Sequence, residues 1–411
     1  MSRKILFFSA EVGIAHLTRS LAIAQELQKR KVDVAFAVPK LKQDIFKKHH
    51  IQTFDVAPFL QDGDLDSAKK LLHPNKVESL VRSEIDVINK YKPDTVIVDF
   101  RPSALVATAI TQKKTYYLTG SGGLPSCYIP SLGYPQIFHN FIQLGLQQLV
   151  QFAKKPYFDG LEKTAQKLTI TNNPPDIFSK LEYLVPEYFG YLPNFDKRLK
   201  IHYVGPIFWP EFEKEVPQWL KTIKPDGKTV YLTFGGTGFD GKKLVSIATT
   251  LINQGWKVVV SSSSVAKPED FPRHNRLFVT KYISGMEICK RVDAVVCHGG
   301  YGTMMQAFLN NKPVVAIPFN HDQLLHSLRI QELGLGKCIT NINLADIFGF
   351  QFNKMQLKAG QIPETRIVAA LDHVVNNNII RKNCNHFVSQ SHNYYGATQA
   401  ADIIMRRLHK V

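Results

Sequence analysis

The sequence predicts an α/β protein built as two doubly wound domains. Three observations predict it: the length of the chain, a strand–helix–strand pattern that occurs in two separate sets, and a proline-rich stretch between the sets. A chain of 411 residues is too long for one comfortable core and suits two domains of about 200 residues each. Apolar residues make up 44% and charged residues 21%, an ordinary globular balance that removes disorder as the default.

The first set opens with "KILFFSA" (4–10), a continuous apolar run that reads as a buried strand. "HLTRSLAIAQELQKRK" follows, with Leu17, Leu21, Ala24 and Leu27 at helical spacing, and "VDVAFAV" supplies the next strand. "PDTVIVDF" (93–100) and "KTYYLTG" (114–120), with "RPSALVATAI" between them, repeat the unit and predict a parallel sheet. Residues 136–152 carry Phe138, Phe141, Ile142, Leu149 and Phe152 on one helical face. That face suits a core helix first, with a hydrophobic acceptor pocket or a membrane-facing helix as the alternatives. Pro206, Pro210, Pro217 and Pro225 mark an extended connection. Beyond it "TVYLTF", "GWKVVVSSS", "RLFVTK", "DAVVCH" and "PVVAIPF" form the second set of strands, with helical patterns between them, and "YYGATQAADIIMRRL" reads as an amphipathic terminal helix. The expected organisation is a first domain over 1–205, a linker over 206–228, a second domain over 229–390 and a C-terminal helix over 391–411.

Lys and Arg outnumber Asp and Glu by 51 to 34, a balance that favours anionic partners such as nucleotides, nucleic acid or an anionic lipid surface. A basic surface that serves solubility alone gives the same balance. Basic segments such as "PKLKQDIFKKHH" and "DKRLK" are scattered and lack the aromatic interleaving or module of a nucleic-acid binder, so no nucleic-acid partner is expected. The five cysteines are widely spaced with no CxxC pair, which argues against a disulfide framework or a zinc site and suits a reducing cytoplasm. The apolar run before Glu11 is too short for a signal-peptide core, and no run approaches the roughly 18 apolar residues of a membrane span. The chain is expected to be cytoplasmic, soluble or peripheral to a membrane.

"LTFGGTGFDG" sets a glycine loop directly after a strand, where backbone N–H groups can approach a phosphate. Gly236, Gly238 and Gly241 match G-x-G-x-x-G, but the acid that a dinucleotide site wants about 20 residues on is replaced by "VVVSSSS". Nicotinamide is therefore not expected, nor any other cofactor. The D-x-D of "QDGDLD" (61–66) lies in a polar stretch and reads as a solvated turn, so no metal site is expected. "CHGGYGTMMQAFLN" is more specific: a strand end, a glycine turn and a helix whose N-terminus carries free N–H donors and partial positive charge suited to a diphosphate. Taken alone, His298 fills that turn as readily as it binds a ligand.

The order "YIS" (282–284), "CHGGYGT" (297–303), "NKPVVAIPFNHDQ" (311–323) and "LGLG" (333–336) is similar to the donor-binding signature of the UDP-glycosyltransferase family. "AHLTRSLAIAQEL", "VGP" (204–206) and the terminal helix also resemble that family and its bacterial lipid- and cell-wall-modifying relatives. The resemblance implies the GT-B fold: two facing Rossmann-like domains with a cleft between them, the first binding acceptor and the second binding nucleotide sugar. It implies that Tyr282 stacks on the nucleobase and that backbone groups at Ile283 read uracil. Gly235, Gly236 and Thr237 line the donor loop, and His298, Gly300, Gly302 and Thr303 fall on the diphosphate turn. Gln306 stands where many members have a ribose-binding glutamate, and this departure loosens the link to one nucleotide. Asp322 and Gln323 fall on the pair that bonds sugar hydroxyls. In the first domain His16 matches the family's general base, Asp99 the acid that orients it, and Thr119 lies on a loop that approaches the sugar.

The implied function is an inverting, metal-independent transfer of a sugar from a nucleotide sugar, a UDP-sugar by the resemblance, to a hydroxyl of a lipid or small hydrophobic acceptor. Contact with an anionic membrane surface is compatible with the basic charge. Two alternatives remain open at this point. A nucleotide-sugar 2-epimerase shares the architecture but wants more acids around the sugar; a non-catalytic nucleotide-sugar-binding protein would leave His16 without a role.

Overall fold

The computed structural model describes residues 3–11, 15–59, 74–125, 128–130, 143, 148, 159–169, 177–178, 180–194, 196–209, 217–236, 240–343, 346, 352–391 and 396–408. Thr237, "QDGDLD" and nearly all of the 136–152 segment fall outside them. The chain divides into two units, Met1–Tyr128 with Leu144–Trp209 and Tyr394–Val411, and Ile129–Gln143 with Pro210–Asn393.

The first unit holds strands β1 (Lys4–Ser9), β2 (Asp33–Ala37), β3 (Gln52–Phe54), β4 (Thr95–Asp99), β5 (Lys114–Leu118), β6 (Glu182–Val185) and β7 (Lys200–Tyr203). They form one sheet in the order β3-β2-β1-β4-β5-β6-β7, with every pairing parallel. Parallel strands need helical crossovers that cover both faces, so the strands read as unbroken apolar runs. The two faces separate cleanly along β1. Leu6 and Phe8 join a cluster with Val96, Val98 and Tyr117, while Ile5 and Phe7 join one with Phe36, Ile97 and Tyr116. The second cluster also takes in Leu17, Leu21 and Ala24 of the helix Ala15–Lys29 and Ala400, Ile404 and Leu408 of the helix Gly396–Leu408. The C-terminal helix is thus part of the first unit's core.

The second unit holds β8 (Thr229–Thr233), β9 (Lys257–Ser261), β10 (Leu277–Thr280), β11 (Ala294–Cys297), β12 (Val314–Ala316) and β13 (Gly336–Cys338). Their order, β10-β9-β8-β11-β12-β13, is again parallel throughout and repeats the first six positions of the other sheet. Within the stretch read as a linker, Gln218–Thr222 forms a short 3₁₀ turn that buries Leu220, with Ile223 buried just after it. Among the described residues no helix is long and apolar enough to cross a membrane.

In both sheets the winding reverses direction once, between β1 and β4 and between β8 and β11. The loops after those strands leave in opposite directions and open a crevice at the carboxyl ends. Ser9 lies opposite Asp99 in the first ladder, and Thr233 opposite Cys297 in the second. Of the sequence-predicted site residues, Asp99 belongs to the first pair, and Gly235, Gly236 and His298 lie just beyond the second.

Candidate active site

In the first unit, Asp99 ends β4 and is wholly buried, while His16 stands in the first turn of the helix after β1. His16 Nδ1 lies 2.7 Å from Asp99 Oδ1. Arg19, one turn further along the same helix face, donates Nε to Oδ2 at 2.7 Å and Nη2 to Oδ1. Ser20 donates its hydroxyl to Oδ2 at 3.0 Å, and Ser9 donates to Ser20 at 2.9 Å. Burial opposes the charge on Asp99, but the Arg19 guanidinium and the His16 imidazole outweigh it and hold the carboxyl down at about 2. An ionised carboxylate only accepts, so the proton sits on Nδ1 and the basic lone pair on Nε2. Arg19 Nη2 also lies 3.1 Å from Nδ1; both are donors, and what joins them is the carboxylate oxygen they share.

Phe100 follows with φ of 48° and stacks on His16 with ring centroids 5.1 Å apart and planes 16° from parallel. Phe100 is 43% exposed. Thr119 opens the loop after β5 and donates its hydroxyl to the carbonyl of Gly120 at 3.3 Å. That loop is anchored by buried Glu187, which accepts from the Ser121 N–H at 2.8 Å and the Ser121 hydroxyl at 2.5 Å.

In the second unit, His298 directly follows β11 at the start of the glycine turn. Burial pushes its pKa down to about 4, against a backbone hydrogen bond at Thr233 and the charge of Asp322. It is therefore neutral at physiological pH. Its Nδ1 is buried with no hydrogen-bond partner among the described residues. Gly235, at φ 63°, brings the β8 loop against the ring, where an added Cβ would stand 3.1 Å from His298 Cε1. Gly299 has φ 82°, and a Cβ there would reach 2.2 Å from the Ser327 hydroxyl, so the fold itself requires glycine. Gly302 differs: an added Cβ would meet nothing within 4 Å. The helix Tyr301–Leu309 starts from Gly300 with no side-chain cap and no acid in its first turn, leaving the N–H groups around Gly302 and Thr303 for another acceptor.

Tyr282 and Ile283 follow β10, and the Tyr282 ring is 59% exposed, with Lys281 Nζ 5.8 Å from its centroid. Gln306 reaches across to this segment and packs over Gly285, where a Cβ would fall 2.0 Å from Gln306 Oε1. Asp322 and Gln323 open the helix His321–Glu332 behind the cap Asn320. The Asp322 side chain is 65% exposed, with Oδ1 3.6 Å from His326 Nε2. Gln323 is buried, its Oε1 accepting from the Phe319 N–H at 3.1 Å, so only its amide NH₂ end remains for a ligand. The structure thus brings His16 together with Asp99, and Gly235 with His298 and Gly300. Arg19, Phe100 and Glu187 were not read from the sequence. For Arg19 a signal existed, since i,i+3 spacing places it on the face of His16.

Comparison with known proteins gives the same fold and places the chain among glycosyltransferases. Residues 233–371 match the glycosyltransferase family 28 C-terminal domain. The chain is 24% identical over 355 residues to a PGL/p-HBAD biosynthesis rhamnosyltransferase of Mycobacterium bovis, covering 81% of this chain and 76% of that protein. Among solved structures it is similar to the calicheamicin glycosyltransferase CalG4, with a TM-score of 0.72 and 18% identity over 100% of this chain and 99% of that one. It is also similar to glycosyltransferase VinC in complex with DTDP, with a TM-score of 0.67 and 13% identity over 99% and 100% of the two chains.

Proposed function

We propose that this glycosyltransferase, a member of the UDP-glycosyltransferase family with the GT-B fold, transfers a sugar with inversion from a UDP-sugar to a hydroxyl of a lipid or small hydrophobic acceptor, with no metal ion. One observation carries the reading: a buried, ionised Asp99 bonded to His16 Nδ1 at 2.7 Å. The carboxylate fixes the tautomer and stabilises the imidazolium as His16 Nε2 takes the acceptor proton. The oxygen freed of its proton attacks the anomeric carbon from the face opposite the nucleotide, which inverts its configuration. Positioned base catalysis of this kind is worth roughly 10²- to 10⁴-fold.

The leaving diphosphate gains negative charge as the glycosidic bond breaks. The uncapped N-terminus of Tyr301–Leu309, His298 and the Gly235–Gly236 turn supply donors for that charge. Tyr282 offers its exposed ring to the base, Ile283 its backbone groups, and Gln306 its amide to the ribose. Asp322 and the amide of Gln323 would bond the sugar, and Thr119 and Thr237 complete the donor set. The exposed ring of Phe100 beside His16 supports a hydrophobic acceptor. Leu41, 93% exposed among Lys40, Lys42, Lys47 and Lys48, supports peripheral contact with anionic lipid. Cosedimentation with phosphatidylglycerol vesicles that is lost in high salt is expected; equal pelleting with neutral vesicles would remove that contact.

The transfer itself is tested by calorimetric titration, in EDTA, of UDP, dTDP and GDP and their common sugar conjugates, followed by nucleoside diphosphate release with phenolic and sterol acceptors. Tight binding and release from a UDP-sugar in EDTA is the expected result. A strict requirement for a divalent cation, or preference for another nucleotide, would overturn that part of the reading.

A further inference from the structure

Phe100 is a bulky residue in the left-handed region, φ 48°, where Cβ crowding makes any residue but glycine, and to a lesser degree asparagine or aspartate, unfavourable. Such strain persists only where the surroundings over-determine the backbone, and it concentrates at functional positions. Here the surroundings are explicit. On one side the Asp99 carbonyl accepts from the Ala10 N–H at 2.8 Å, which ties the strand end down. On the other, Arg101 is wholly buried. It donates Nε to Glu84 at 2.6 Å and Nη2 to the Ala57 carbonyl at 2.7 Å, with Nη1 3.4 Å from Glu11. Ser103 bonds the same Glu84 oxygen at 2.8 Å, and Pro102 fixes the first helical φ after Arg101. Removing Arg101 from this network would strand two buried carboxylates. The backbone at 100 is therefore held in place from both ends, and what the strained conformation achieves is to lay the Phe100 ring flat against His16.

We infer that Phe100 is a positioning residue for His16: its ring, held in a left-handed backbone by the buried Arg101–Glu84 anchor, keeps the imidazole in the plane where Nδ1 meets Asp99 and Nε2 faces outward. Asp99 alone holds the imidazole by one atom, a hydrogen bond that rotation about the His16 side-chain torsions breaks, and with it the tautomer it fixes. Arg19 bonds the same carboxylate and reaches the imidazole at its Nδ1 edge, 3.1 Å away. The stacked face removes the remaining rotation. The function of this device rests on His16 being the general base, but its geometry does not.

The test is histidine-labelled NMR of the full chain, with the His16 signals assigned by their loss in His16→Ala. In the wild type, the His16 ring nitrogens should report one tautomer, protonated at Nδ1, and its Hε1 should carry an upfield ring-current shift. Phe100→Tyr should keep both signatures. Phe100→Leu should lose the ring-current shift together with the single tautomer, giving averaged nitrogen signals. Phe100→Gly, which releases the backbone strain, should lose both in a chain that melts no lower than the wild type, which separates positioning from folding. Retention of the single Nδ1–H tautomer in Phe100→Leu and Phe100→Gly would overturn the inference. Unchanged turnover in His16→Ala would instead remove the base and leave the NMR result standing.

Discussion

Asp99 has two oxygens and at least four donors around them, from His16, Arg19 twice and Ser20. Its folded pKa of about 2 lies below the ordinary 3.8, so the folded chain releases this proton more readily than the unfolded one. The stabilisation that follows, on the order of 2 kcal/mol, is complete above about pH 4 and lost as the pH falls through about 2. Asp99→Asn should flatten the loss of stability between pH 4 and 2 in denaturant melts; parallel profiles for variant and wild type would contradict it. Gly302 permits a cleaner separation of fold from ligand, since a methyl group there meets no protein atom within 4 Å. Gly302→Ala should leave the melting temperature unchanged or higher and weaken nucleotide-sugar binding by about tenfold, or about 1.4 kcal/mol; unweakened binding would remove the helix N-terminus from the donor site. His16 and Asp99 were legible through the family resemblance, and the structure sets one in a first helical turn and the other at a strand end. Phe100 was not, because its role depends on a backbone angle that no spacing rule reveals.

The long buried strands were legible for a simple reason: parallel strands covered on both faces are uninterrupted apolar runs. "VIVD" and "AVVC" announce themselves. Strands β6 and β7 did not. β6 carries Glu182, which pairs with His202 of β7 at 3.0 Å and with Arg407 at 3.2 Å, so polar groups interrupt the pattern at the sheet's edge. β13 is only three residues, Gly336–Cys338. The terminal helix was legible as amphipathic, but its docking place was not, because that depends on contacts across most of the chain. Arg30 meets Asp402 at 2.6 Å, and a Cβ on Gly396 would fall 2.0 Å from the Pro206 carbonyl oxygen. Since that obstacle is backbone, Gly396→Ala should destabilise the first unit by about 1–3 kcal/mol. Thermal melts read this directly, and a variant as stable as the wild type would show that the helix docks more loosely than described.

At the scale of the whole chain, two parallel sheets with the same winding each carry candidate site residues beyond the carboxyl ends of their strands. The first unit carries the His16–Asp99 pair proposed to take the acceptor proton, and the second carries the turn and helix N-terminus proposed to hold the diphosphate. The two parallel sheets were legible from the doubled strand–helix pattern, and the division of roles between them is what the family resemblance implies. The identity of sugar and acceptor was not, because loops set it and loops follow no periodicity. The most direct test of the account compares His16→Ala with the wild type in EDTA, measuring nucleotide-sugar affinity by calorimetry and turnover by nucleoside diphosphate release. The account predicts affinity within about twofold of the wild type and turnover lower by roughly 10²- to 10⁴-fold. Turnover that survives the substitution would contradict it.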